Sequence, residues 1–170
     1  NLDAWLFLAD ISNEQKQFEK CVEAADFAIA IEPQNEKALR FKAIGELGLE
    51  HWDEVLKVYE TYHALFPNDY SMALSAGEIL VNRREFAQAR EVLEVAAQNC
   101  PNENPDKIRI AGDLALTYAA EGDMRTAYSM LASTSSLGVE QAEIHLRTFE
   151  LAVAHRQPDF AADVIAHMAQ

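Results

Sequence analysis

Apolar residues recur along this chain at steps of three and four rather than at every second position, the period of helices and not of strands. Phe18, Cys21, Val22, Ala25 and Ile29 form one such stripe, and Phe86, Ala89, Val92, Leu93 and Ala96 form another. A proline follows the end of each stripe, where a residue without a backbone N–H cannot extend the hydrogen-bond ladder. A further helical segment precedes each stripe, over roughly 2–12, 35–49 and 68–82. The pattern therefore predicts pairs of helices, each pair closed by a proline turn.

The pairs repeat. Pro33, Pro67 and Pro101 stand 34 residues apart, twice over. Fifteen residues before each proline is a large aromatic, namely Phe18, Trp52 and Phe86. Twelve before each is a smaller apolar residue (Cys21, Val55, Ala89), and five before each come Ala28, Tyr62 and Ala96. Four features sharing one period over three copies mark a repeat architecture, in which each unit buries its apolar face only against its neighbours.

The residues of the repeat carry a resemblance to a known family. From Phe18 to Asn35 the chain reads FEKCVEAADFAIAIEPQN, which resembles the second helix and closing turn of the tetratricopeptide repeat. Trp5, Leu8 and Ala9 are similar to the Trp…Leu-Gly signature of its first helix, and Gly77 fills the small-residue slot of the third copy. Leu114 to Ala127, with Tyr118 and the turn glycine Gly122, supplies a fourth copy that arrives four residues late. Asn104-Pro105 is a good helix start, so the insertion is expected to lengthen that helix from about Pro105. Lys42 and Glu46 depart from the motif, standing where Leu and Tyr are usual, and Phe41, Ile44 and Leu47 beside them point to a rotated helix. The resemblance is good over about 2–135; beyond it, helices are expected over roughly 139–156 and 158–169.

The resemblance implies an all-α fold, a right-handed superhelical solenoid of about five antiparallel helix pairs forming a single domain over 1–170. The expected repeats are 2–35, 36–69, 70–103 and 104–138, with a degenerate pair over 139–170. The length of 170 residues equals five times 34, but the insertion and the weak last pair make that quotient partly accidental. A start at Asn1 rather than Met, and ends without an obvious polar cap, point to a fragment of a longer array.

Composition narrows the partners. Half of the chain is apolar (49%) and a quarter charged, which suits a folded chain rather than a disordered one. Lys plus Arg is 14 against 28 Asp plus Glu, a formal net charge of −14. Arg83 and Arg84 are the sole adjacent basic pair, so neither nucleic acid nor an anionic membrane surface is an expected partner. No apolar run approaches a membrane span, and direct membrane insertion of this segment is not expected. The acidic balance keeps a helical surface hydrated or attracts a basic partner. Cys21 and Cys100 have neither redox nor zinc spacing; two structural thiols suit the cytoplasm rather than the periplasm without fixing the compartment.

Chemistry is sparse. His51, His63, His145, His155 and His167 stand isolated, and the chain has no HExxH, phosphate loop or GxSxG. No cofactor, metal or catalytic residue is expected, and His51 and His63 read as a turn residue and a core-edge residue.

A partner surface follows from the resemblance, which implies that the first helix of each pair lines a concave face. There it places Leu6, Phe7 and Asp10, then Lys37, Arg40, Phe41 and Ile44, then Leu74, Ser75 and Glu78, then Arg109, Asp113 and Leu116. The family's carboxylate clamp of Lys, Asn and Arg is missing, its places being taken by Leu6, Asp10, Phe41, Ser71 and Ser75. The expectation is a scaffold that receives a protein or peptide partner through Phe7, Phe41, Ile44, Leu74 and Leu116, with Arg40 and Arg109 orienting acidic groups. The alternative is a self-associating module, a homo-oligomer joined through apolar ends. At one end are Leu2, Trp5, Leu6, Phe7, Leu8 and Ile11; at the other are Phe160, Val164, Ile165 and Met168.

Overall fold

The computed structural model describes residues 1–168, without the side chain of His167. Among these the chain forms ten α-helices: α1 (Leu2–Glu14), α2 (Phe18–Ile31), α3 (Glu36–Gly48), α4 (Trp52–Leu65), α5 (Tyr70–Asn82), α6 (Phe86–Asn99), α7 (Asp106–Ala120), α8 (Met124–Ser133), α9 (Gln141–Ala154) and α10 (Pro158–Met168). A 3-10 turn, Thr134–Leu137, follows α8. The fold is all-α, built of packed helix pairs, and every expected helix is present; Ala169, the expected end of the last one, lies outside the described residues.

Local chemistry explains the helix starts. Asn1, Asn35 and Asp69 each accept a bond from a backbone N–H in the first turn of α1, α3 and α5, satisfying donors that have no partner within the helix. Asn104 Oδ1 does the same for α7, accepting from Asp106 N at 2.9 Å behind Pro105. The four inserted residues go partly into this turn, and α7 runs to 15 residues where α1, α3 and α5 have 13.

Turns within the pairs share one device. A left-handed residue stands there each time: Lys16 (φ 56°), Glu50 (60°), Arg84 (61°), Gly122 (86°) and Arg156 (55°). Their spacing is 34, 34, 38 and 34, the longer step being the insertion before α7. The last pair, which has lost most signature residues, thus keeps the period in its backbone. Its turn uses Arg156, although glycine is the residue that adopts this conformation without steric cost.

The chain divides into two compact units, Asn1–Asn68 and Asp69–Gln170. In the first, α1 and α3 lie side by side, and α2 packs on both. In the second, α7 touches both α5 and α9 in one layer, while α6 bridges α5 and α7, and α8 bridges α7 and α9. Close approach of helices rests on small residues. A Cβ on Gly45 would stand 2.6 Å from Val22 Cγ2 and 3.2 Å from the Phe18 carbonyl oxygen, and one on Gly77 would stand 2.4 Å from Leu93 Cδ2. Alanines fill the remaining seams: Ala9, Ala25, Ala28 and Ala38 in the first unit, and Ala76, Ala89, Ala96 and Ala115 in the second, are fully buried.

Helix α3 is not rotated. Glu46 keeps the inward position of the motif at 7% exposure, and its Oε2 stands 2.8 Å from His51 Nδ1. Lys42 reaches across to Asp26 at 2.7 Å. Of the apolar residues that point to rotation in the sequence, Ile44 and Leu47 turn outward instead, at 39% and 38% exposure, and Phe41 is half-buried against the Ala9–Cys21–Ala24 cluster. A buried carboxylate keeps its place because the turn histidine satisfies it.

Candidate interaction site

The first-helix layer of the first unit carries Phe7, Lys37, Arg40, Phe41 and Ile44. Phe7 is open, at 66% exposure, and Lys37 is exposed. Phe41 is half-buried and packs on the cluster of Ala9, Cys21 and Ala24, so part of its ring belongs to the seam between pairs. Arg40 lies 5.3 Å from the centre of the Tyr62 ring, and its Nε donates to Glu36 Oε1 at 3.1 Å. Tyr62 is itself fully buried and donates its hydroxyl to the same Glu36 oxygen at 3.3 Å. The Arg40 guanidinium is therefore held by its own chain.

In the second unit the fold gathers Glu78, Arg109 and Asp113, which lie on two adjacent first helices. Arg109 pairs with Glu78 from α5 and, at 3.1 Å, with Asp106 one turn earlier on α7. Asp106 also accepts from the Tyr70 hydroxyl at 3.4 Å, and that hydroxyl accepts from Asn104 Nδ2 at 2.6 Å. Asp113 stands one turn beyond Arg109. Burial, then the charge of Glu78, pushes its carboxyl up to about 6, and Arg109 opposes this only in part. Arg109 thus pairs with two carboxylates and lies in the field of a third. The sequence assigns Arg109 to the acidic groups of a partner; in the fold it is committed to acids of its own chain, and the surplus charge of the cluster is negative.

Leu74 requires a correction. Its register makes it an expected apolar contact of the partner surface, but at 3% exposure it is a core residue of α5 and offers no free surface. The neighbouring positions behave differently: Ser75 donates to the Ser71 carbonyl at 3.1 Å, and Leu116 on α7 is half-buried.

Two clefts in the second unit have no counterpart in the sequence pattern. One, of about 430 Å³, lies where α8 stops early and the 3-10 turn begins. Ile110, Leu114 and Met130 line it, and at its edge Lys107 donates to the Ala97 carbonyl at 2.9 Å. The other, of about 230 Å³, is lined by Tyr128, His145, Phe160, Asp163 and Val164. Isolation in sequence hides His145. Its position four residues after Gln141, one turn along the same helix face, is the available signal.

The expected apolar ends are partly covered. Trp5 stacks on Phe27 with ring centres 4.4 Å apart, while Phe7, Leu8 and Ile31 remain exposed. At the other end Val164 is buried and Phe160 half-buried, with Ile165 and Met168 exposed. No helix among the described residues is long and apolar enough to cross a membrane, and among them no three metal-ligating side chains converge.

No protein-family model matches the chain, and neither does any curated protein. Solved structures do. A crystal structure of MamA superposes with a TM-score of 0.81 at 13% identity, over 97% of this chain and 88% of that one. MamA from Desulfovibrio magneticus RS-1 (residues 41 to the end) gives 0.79 at 16% identity, over 98% and 92%. YrrB, described as a TPR protein with an unusual peptide-binding site, gives 0.80 at 14% identity, over 98% and 84%. Identities this low establish the fold alone, and that fold agrees with the repeat, the caps and the turns: the chain has a tetratricopeptide-like fold.

Proposed function

We propose that the chain is a non-catalytic protein-interaction scaffold whose first-helix face receives a segment of a partner polypeptide. In the second unit that segment presents a basic side chain to Glu78 and Asp113. The observation that carries this reading is the state of Asp113. Its carboxylate is half-buried beside a second acid, while the nearest cation, Arg109, is already held by Glu78 and Asp106. A lysine or arginine from a partner relieves that repulsion, as charge complementarity requires. Leu116 on the same helix adds apolar contact, and in the first unit Phe7 and Ile44, both exposed, offer the same to a partner. Lys37, Arg40 and Phe41 stand at the margin of that surface, Arg40 and Phe41 already engaged with their own chain. The protein described as YrrB, of like fold, has a peptide-binding site, which supports the class of partner.

Panning a displayed random-peptide library on the intact chain tests the proposal. Selected peptides should be enriched in Lys and Arg beside apolar residues, and the Glu78→Gln/Asp113→Asn variant should bind them at least about tenfold more weakly. Acidic selected peptides, or affinities untouched by the double variant, would show that this face is not the site.

A further inference from the structure

Three rings and a carboxylate meet in the small cleft between α8, α9 and α10. Tyr128 and His145 are nearly parallel, 15° between planes with centres 6.0 Å apart, and Phe160 lies across the cleft. The walls are fixed. Tyr128 and Phe160 both pack on the core cluster that includes Ala127, Ile144 and Ala161. Gln141 ties Tyr128 to the third ring, His145: its Nε2 donates to the Tyr128 hydroxyl at 3.1 Å and stands 3.1 Å from His145 Nε2. An amide NH₂ has two hydrogens, so it serves both partners when His145 Nε2 is the acceptor and Nδ1 carries the proton. Val164, buried, forms the floor and Asp163, exposed, the edge.

We infer that this cleft is an anchor slot for one arginine side chain of a partner protein. Three features point to that occupant. At about 230 Å³ the space is smaller than the ~300 Å³ at which small-molecule sites begin, and it suits one long side chain. Ring faces carry negative quadrupole charge and attract cations, and a planar guanidinium stacks on them as a compact ammonium does not. Among the described residues no Lys or Arg lines the cleft, and the one formal charge among them is the Asp163 carboxylate. A carboxylate has about four acceptor sites, so it takes a guanidinium fork beside any partner within the chain. The slot is bounded by two second helices and one first helix and shares no residue with the Glu78–Arg109–Asp113 cluster, so it stands apart from the function proposed above.

The test is an NMR titration of the intact chain with N-acetyl-arginine N-methylamide, read at the aromatic signals. Shifts should be confined to Tyr128, His145 and Phe160. The citrulline analogue, equal in shape and uncharged, should bind at least about tenfold more weakly, and the lysine analogue should fall between them. Asp163→Asn, at an exposed site, should weaken the arginine probe about threefold or more without loss of helicity. Equal binding of the citrulline and arginine analogues overturns the inference, as does the absence of shifts at these three rings. The Glu78→Gln/Asp113→Asn variant should titrate like the parent chain, so the two proposals fail separately.

Discussion

Asp113 offers a stability measurement that isolates one charge. Its carboxyl titrates near 6 in the folded chain against an ordinary value of 3.8. The folded state therefore holds the proton more tightly than the unfolded one. Any stability this gives is fully present below the unfolded value, declines as pH rises through the interval, and is gone above about 6. At about 1.4 kcal/mol per pH unit, that interval sets an upper bound of ~3 kcal/mol on what the ionised Asp113 costs the native state. Asp113→Asn removes the charge and keeps the shape. It should match the parent near pH 4 and exceed it by about 1–3 kcal/mol near pH 8. Urea unfolding of both chains across that range measures the difference, and the other carboxylates cancel because both chains contain them. Burial is the first cause and the Glu78 charge the second, so added salt should remove only the smaller part of the gap. A stability difference that does not change with pH, or a carboxyl carbon signal of Asp113 that titrates at the ordinary value, would refute the argument.

The glycines give a matched pair. Gly45→Ala places a methyl against Val22 and the α2 backbone and should destabilise by about 1–3 kcal/mol, whereas Gly112, with nothing within 4 Å, should tolerate Ala and gain up to about 1 kcal/mol of helix propensity; thermal melts of the two variants decide it. His51→Ala strands the buried Glu46 carboxylate and should cost about 1–3 kcal/mol, a loss that His51→Gln, which keeps a donor, should partly restore in denaturant titrations.

Short-range chemistry is what can be read along this chain. Helix period, the Asn104-Pro105 helix start, the proline stops and the 34-residue repeat all depend on residues within one turn or one pair, and each is legible from the order of the residues alone. The register of the last pair is not, because its signature side chains are gone and only the left-handed residue at Arg156 records it. The face of α3 misleads for a related reason. A charged Glu46 looks like a surface residue until His51, across the turn, is seen to satisfy it.

The site belongs to tertiary structure. Register places Glu78, Arg109 and Asp113 each on a first-helix face, yet nothing in the sequence signals that Arg109 is taken up by Glu78, 31 residues away. That pairing leaves the cluster with a surplus of negative charge. Leu74 has the right register and the wrong exposure, because register fixes direction along a helix while burial depends on what packs against it. The aromatic slot is the extreme case, its walls coming from α8, α9 and α10. Backbone periodicity is a short-range property and runs along the chain. Electrostatic surplus and cavity walls are sums over neighbours in space, and only the packed helices define those.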